Sequence, residues 1–407
     1  MTHSPPVDRG PTFQVDRRLP GAAGRTGRIR TPHGEIRTPA FIPVATQAAL
    51  KQVLPEAMAG LGAQALLANA YHLYLQPGVA IVREAGGLGA FMNWPGPTFT
   101  DSGGFQVMSL GAGFKKTLAM DSATAASEVI APPAKRLASV DDEGVTFRSH
   151  RDGTEHRFTA EVSMQVQHDI GADIIFAFDE LTTLLDDRAY QERALRRTHD
   201  WAQRCLAEHR RLGSQQLLFG VLQGADHEDL RRATARELGA MDFDGYGIGG
   251  AIDKLRLTDI ISWVVQELPE KRPRHLLGIG EPEDLFAAVA AGADTFDCVT
   301  PARVARNAAV YSRSGRYNVN TAAYRRRFSP IDEGCDCYTC AHYTTAYLHH
   351  LFKAGESLAG TLATIHNERF IVGLVDRMRQ AIEDGDFDEF RDDFLGRYDT
   401  ARGSGSA

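Results

Sequence analysis

Short runs rich in apolar, β-branched and aromatic residues alternate along this chain with longer stretches whose apolar positions recur at the helical period. The short runs are AFIPVAT (40–46), QALLANA (64–70), PTFTDSG (97–103), DIIFAFDE (173–180), LLFGVLQG (217–224), DGYGIGG (244–250), RHLLGIG (274–280) and DTFDCV (294–299). Each reads as a strand. Between the later ones lie the helical patterns AEVSMQVQHDIG (160–171), 187–211, DHEDLRRATARELGAM (226–241) and EPEDLFAAVAAG (281–292). Strands alternating with helices imply a parallel sheet, and eight such units imply a closed β/α barrel whose strands are buried on both faces. The first two crossovers are the least regular. An open doubly wound sheet is the second choice, but no GxGxxG opens a helix after the first strand.

An insertion from about residue 110 to 157 interrupts the pattern. Its second half, GVTFRSHRDGTEHRF, alternates apolar and polar residues around Asp152-Gly153 and predicts a hairpin over one rim of the barrel. Its first half, including APPAKRLASVDDE, reads as a loop. Residues 1–18 are rich in Pro, Gly and charge, and 396–407 end in GSGSA; both ends are expected to lie outside the fold as flexible segments. The expected organisation is an irregular (β/α)8 barrel over 19–312 carrying the insertion, followed by a smaller unit over 313–395.

The chain has 407 residues, 43% of them hydrophobic, enough for a large core. No apolar run reaches membrane-spanning length and the first residues lack the apolar core of a secretory signal, so a cytoplasmic protein without membrane contact is expected. The net charge is −7, yet between Cys298 and Ile331 stand Arg303, Arg306, Arg313, Arg316, Arg325, Arg326 and Arg327 with no Asp, Glu or Lys. This local reversal predicts a docking site for a polyanion. Five cysteines, three of them at Cys335, Cys337 and Cys340, suit a metal site better than a disulfide framework. With His366 they make a closed set of three thiolates and an imidazole, the donor set of a structural zinc. His342, His349 and His350 are alternatives to His366, read as packing or polar-face residues of a helix.

Chemistry gathers at the strand ends. Asp101, Asp179, Glu180, Gln223, Gly249, Gly250 and Asp297 each follow an apolar run. One such Asp is ordinarily a turn former or helix cap; several in one barrel converge on the carboxyl-end mouth, where active sites form.

Long segments in order, among them FIPVATQAALK, LLANAYHLYLQPG, TDSGGFQVMSLG, SMQVQHDIGADIIFAFDE, FDGYGIGG, GIGEPEDL, TFDCVTPARVARN, FSPIDEGCDCYTC and TIHN, make the chain resemble the bacterial tRNA-guanine transglycosylase family over roughly residues 25–395. The resemblance implies exchange of guanine at the wobble position of tRNAs carrying a UGU triplet in the anticodon loop for a 7-deazaguanine base. Asp297 would be the nucleophile and Asp101 the general acid/base. Retention of configuration at C1′ requires two inversions and hence such a carboxylate pair. The resemblance further implies a base pocket of Asp179, Gln223, Gly249 and Gly250, with Ser102, Gly103 and Gly104 beside the base and Phe105 and Leu277 as stacking walls. RNA contacts are implied at Gly278, Ile279, Gly280 and the following Glu281, Pro282, Glu283 and Asp284. A second set follows the nucleophile at Ala302, Arg303, Val304, Ala305 and Arg306. One structural zinc per subunit on Cys335, Cys337, Cys340 and His366, and a homodimer, complete the expectation. The sequence departs from the common bacterial pattern where Leu181 follows FDE and where GGAIDKL replaces GGLAVGE, the loop that the resemblance places against the 7-substituent.

Other classes fit less well. A retaining glycosidase would want a Trp-rich groove, and the chain has only Trp94, Trp201 and Trp263. A noncatalytic RNA-binding subunit has no use for Asp101, Asp179, Gln223 and Asp297 together. A metal-dependent barrel hydrolase needs open-site ligands near the mouth, whereas the cysteine cluster lies after the barrel.

Overall fold

In the computed structural model, which describes residues 12–112 and 138–398, the eight apolar runs become eight parallel strands. They are β1 (Ala40–Pro43), β2 (Leu66–Ala68), β3 (Thr98–Thr100), β4 (Ile174–Phe176), β5 (Leu217–Leu222), β6 (Gly245–Ile248), β7 (Arg274–Leu276) and β8 (Thr295–Cys298). Strands β2 to β8 pair in sequence order, β8 pairs with β1, and a parallel bridge between Val44 and Leu67 joins the strand ends of β1 and β2. The sheet therefore closes on itself, and the open doubly wound alternative falls.

Burial explains why these runs carry so few polar residues. Along β5 alternate side chains enter different cores: Leu217, Phe219 and Val221 face the barrel interior, while Leu218 and Leu222 face the helical layer. That layer includes α1 (Ala160–Ile170), α2 (Arg188–Leu212), α3 (Glu228–Gly239), α4 (Leu257–Val265) and α5 (Pro282–Ala290). The Thr159 hydroxyl accepts from Val162 N to start α1 and left-handed Gly171 ends it; Asp187 and Gly213 do the same for α2. The first two crossovers contain only short helical pieces, Ala57–Gly60 and then Ala70–Leu75, Val79–Glu84 and Leu88–Phe91.

Three expectations need correction. Residues Phe13–Arg18 form a strand, paired antiparallel with Arg25–Thr31, which pairs with Gly34–Thr38. Phe13, Ile29 and Ile36 from this small sheet join the cluster that fills the barrel, so apolar burial orders a segment whose composition suggested flexibility. Arg25 and Asp294, both almost wholly buried, pin the sheet to the start of β8 at 2.7 Å. In the insertion, Ala138–Asp141 is a third strand beside the expected hairpin of Gly144–Arg148 and Glu155–Phe158, because its backbone pairs with the hairpin edge. At the other end, residues 396–398 belong to the helix Phe387–Arg397 and its buried cap residue Tyr398. Residues 1–11, 113–137 and 399–407 lie outside the described residues.

Beyond β8 the chain builds a satellite core from Ala308, Val310, Val319, Ile331, Leu348 and Leu351. Helix α6 (Ser357–Asp384) welds it to the barrel: Leu362 and Ala363 enter the satellite, while Ile371, Val375 and Met378 enter the main core.

Candidate active site

The carboxyl ends of the strands open on a cavity of about 1000 Å³. Asp101, Ser102, Phe105, Asp179, Gln223, Gly249, Gly250, Leu277, Gly278, Asp297 and Arg303 all line it, so strand ends far apart in sequence do converge. Among the expected pocket residues Gly103 and Gly104 stand behind the wall. A Cβ at Gly104 would come 2.9 Å from Asp179 O, which explains the glycine.

Asp101 follows β3. Its Oδ1 accepts from Ala70 N at 2.8 Å and its Oδ2 from the Asn69 amide, both from the end of β2. Desolvation deep in the cavity pushes its pKa up to about 6, against the lowering effect of those donors, and the charge of Asp297 adds to the rise. Asp101 and Asp297 therefore share one cavity. Asp179 follows β4, and its pKa is likewise pushed up to about 6 by burial, opposed by hydrogen bonds from Gln223 and Ser102. Gln223 Nε2 donates to Asp179 Oδ2 at 2.6 Å and Ser102 Oγ to Oδ1 at 3.3 Å, while Gln223 Oε1 is buried without a partner. Gly250 has φ +90, and a Cβ there would meet Gln223 Oε1 at 2.5 Å, so only glycine keeps the pocket floor open.

The neighbouring Glu180 turns away from the cavity and pairs with Arg197 at 2.7 Å. Phe105 is 45% exposed on the cavity and not a core residue. Asp297, at the end of β8, has Oδ1 3.1 Å from both His275 Nε2 and Gly278 N. The loop after Gly250 lines the cavity with Ala251 and Ile252, and Leu181 adds a further apolar wall. Asp253 caps its own turn by accepting from Leu255 N at 3.0 Å, and Lys254 pairs with Asp284 at 3.0 Å.

Of the residues expected to meet RNA, Gly278 and Arg303 stand on the cavity, and Arg306 is exposed on a separate depression with Gln52, Asn320 and Glu356. Ile279, Pro282, Ala302 and Ala305 bury their side chains. Glu281 pairs with Arg316 at 2.9 Å.

Sequence reasoning missed Asn69, His72, Gln106 and His275. Asn69 ends an apolar run just as Asp101 does, a signal within reach; His275 sits mid-strand, where periodicity gives no hint of chemistry.

Away from the mouth, Cys335, Cys337, Cys340 and His366 bring their ligand atoms within 4.8 Å of one another. His366 Nδ1 lies 3.3 Å from Cys340 Sγ and 3.6 Å from Cys337 Sγ, and Nε2 donates to Tyr311 O at 2.7 Å, which leaves Nδ1 free as a ligand. The donor set and its closure fit a structural zinc. His349 instead is buried against Val319 O at 2.7 Å, while His342, tilted against Tyr338, and His350 are exposed, so the alternatives to His366 are packing or polar-face residues.

The family model described as queuine tRNA-ribosyltransferase matches residues 21–400. The queuine tRNA-ribosyltransferase of Moorella thermoacetica is 46% identical over 394 residues, covering 96% of this chain and 99% of the relative. That of Pelotomaculum thermopropionicum is 44% identical, covering 95% and 98%, and that of Symbiobacterium thermophilum 45% identical, covering 95% and 91%.

Proposed function

The chain belongs to the queuine tRNA-ribosyltransferase family, and from that premise we propose that it exchanges guanine at wobble position 34 of GUN-anticodon tRNAs for a 7-deazaguanine base, by double displacement through Asp297. The family's activity is that of a tRNA-guanine transglycosylase, a pentosyltransferase. The observation that carries the mechanism is the pair Asp101 and Asp297 on one cavity, with the guanine-shaped group of Asp179, Gln223 and Gly250 beside them.

Asp297 attacks C1′ of the ribose as the C1′–N9 bond breaks, and the electron pair leaves with guanine, which takes a proton from Asp101. Guanine departs. The incoming base then loses its N9 proton to Asp101 and attacks C1′, and the Asp297 carboxylate leaves with its electron pair. Two inversions give net retention, and no water enters the balance. A group titrating near 6 can both give and take this proton at neutral pH. Asp179 accepts from the N1 and N2 hydrogens of the purine edge, Gln223 and the Gly250 amide serve O6, and Phe105 and Leu277 cover the two faces. Arg303 and Arg306 meet phosphates or the bases flanking the extruded nucleotide.

The incoming base is the aminomethyl precursor of queuosine or the bulkier queuine. Ala251, Ile252 and Leu181 line this side of the cavity, and Asp253 of the same loop is engaged in capping, so competition between the two free bases in the exchange assay decides which is taken. A homodimer and one structural zinc per subunit complete the proposal. Three thiolates and an imidazole hold zinc in closed tetrahedral form and tie the satellite core to α6. Metal analysis of the purified protein is expected to return one zinc per chain, and Cys337→Ser to lose it and to melt lower.

The decisive experiment incubates the protein with labelled guanine and tRNA transcripts with and without UGU. Label is expected only in the UGU transcript, and denaturing gels are expected to trap a protein–tRNA adduct that Asp297→Ala abolishes with a rate loss of about 10³-fold or more. Full-rate exchange by Asp297→Ala would end the reading.

A further inference from the structure

Asp297 is held asymmetrically. His275 Nε2 and Gly278 N both lie 3.1 Å from Oδ1, whereas Oδ2 has no donor among the described residues. His275 sits in β7, 0% exposed, with its ring 5.6 Å from that of Phe99 and 5.2 Å from that of Phe176. A histidine among phenylalanines is ordinarily a packing residue. Here, however, both ring nitrogens are committed along one chain. Strand register places Thr295 opposite His275, and Thr295 Oγ1 lies 2.9 Å from Nδ1. Facing an ionised carboxylate, Nε2 must carry a hydrogen. In the neutral ring Nδ1 then accepts, and the Thr295 hydroxyl donates to it. The threonine thus selects the tautomer, and the tautomer selects which carboxylate oxygen is occupied.

We propose that His275, set by Thr295, is a positioning residue that pins Oδ1 of Asp297 and reserves Oδ2 as the atom that bonds C1′. This rests on the reading of Asp297 as nucleophile. In the ribosyl ester Oδ1 becomes the carbonyl oxygen, still facing the two donors. When the Oδ2–C1′ bond breaks in the second displacement, the pair returns to the carboxylate, and hydrogen bonds to Oδ1 strengthen as its negative charge grows. His275 therefore acts most on release of the ribose to the incoming base. Its loss slows turnover and makes the covalent adduct accumulate, an effect that a merely structural histidine would not have.

The test compares His275→Phe, which keeps the ring and removes the donor, with His275→Gln, whose amide N–H restores it, and Thr295→Val with Thr295→Ser. His275→Phe is expected to lower kcat by about 10- to 100-fold, the effect of one hydrogen bond to a charged group. KM for tRNA should fall along with kcat, because the first displacement is little changed, KM for free base should stay near native, and the fraction of enzyme trapped as adduct should rise. His275→Gln is expected to recover most of kcat. Thr295→Val should show the same signature more weakly, with Thr295→Ser close to native. Native kcat in His275→Phe, or a His275→Gln as slow as the Phe variant at equal melting temperature, overturns the proposal. Should His275→Phe not fold, the Thr295 pair decides it: Val equal to Ser in kcat and adduct fraction overturns it equally. Asp297→Ala run in parallel separates the two readings. Full activity there removes the nucleophile itself, whereas an inactive Asp297→Ala beside a fully active His275→Phe removes only the positioning role.

Discussion

Asp179 carries the strongest single-residue argument, because its two oxygens are already organised by Ser102 and Gln223 before any base arrives. Its pKa is raised to about 6 by desolvation. In the proposed role the ionised form accepts from the purine N1 and N2 hydrogens, so base binding is expected to weaken as pH falls below 6 and the carboxylate takes up a proton. Base KM is expected to rise toward tenfold per pH unit in that range. Asp179→Asn should raise base KM by about 10- to 100-fold, as a buried acceptor is lost, and flatten the acid limb. Asp101 titrates in the same range, so the two carboxylates are separated by variant and not by profile alone. Steady-state kinetics from pH 5 to 8 on native protein and Asp179→Asn measure it; an unchanged acid limb in the variant would refute the assignment.

At the level of elements, the small N-terminal sheet depends on a buried ion pair. Arg25 gives two bonds to Asp294, from Nε at 2.9 Å and Nη2 at 2.7 Å, and Asp294 also accepts from Arg274 N at 2.8 Å. Removing one partner strands a charge in the core, so Arg25→Met is expected to lower unfolding free energy by about 3–5 kcal/mol. Urea denaturation measures this, and a companion Arg25→Met/Asp294→Leu chain should recover part of the loss. The pair was invisible in sequence, since its members are 269 residues apart in the chain. So was helix α4, whose run LTDIISWVV buries all but Thr258, Asp259 and Ser262 and shows too little polar face to announce a helix. By contrast α1 and α2 were legible from their caps and closing glycines.

For the molecule as a whole, the arginine segment after β8 is an acid-free basic run in a net-negative chain, and the proposed function docks tRNA there. Folding divides it. Arg316 pairs with Glu281, Arg313 approaches Asp332 at 3.7 Å, and Arg327 lies over the rings of Tyr317 and Tyr324. Arg303, Arg306, Arg325 and Arg326 stay exposed without an acidic partner among the described residues. Arg306→Ala is therefore expected to weaken tRNA binding and reduce the slope of log affinity against log salt by about 1, while free-base KM stays native. Fluorescence titrations across a salt series check this; equal loss of tRNA and base binding would contradict the division of roles. No helix among the described residues is long and apolar enough to cross a membrane.

By itself the sequence determined the barrel, the candidate metal cluster and the strand-end carboxylates, because strand burial, thiol spacing and residue type at an apolar run's end are all local signals. Tertiary structure alone decided which groups share an environment: that Asp101 and Asp179 lose enough water to titrate near 6, that Glu180 turns outward, that His275 reaches Asp297, and that Phe13 orders its segment. Desolvation and hydrogen-bond partnership arise from neighbours brought together by barrel closure, and no window along the chain contains them.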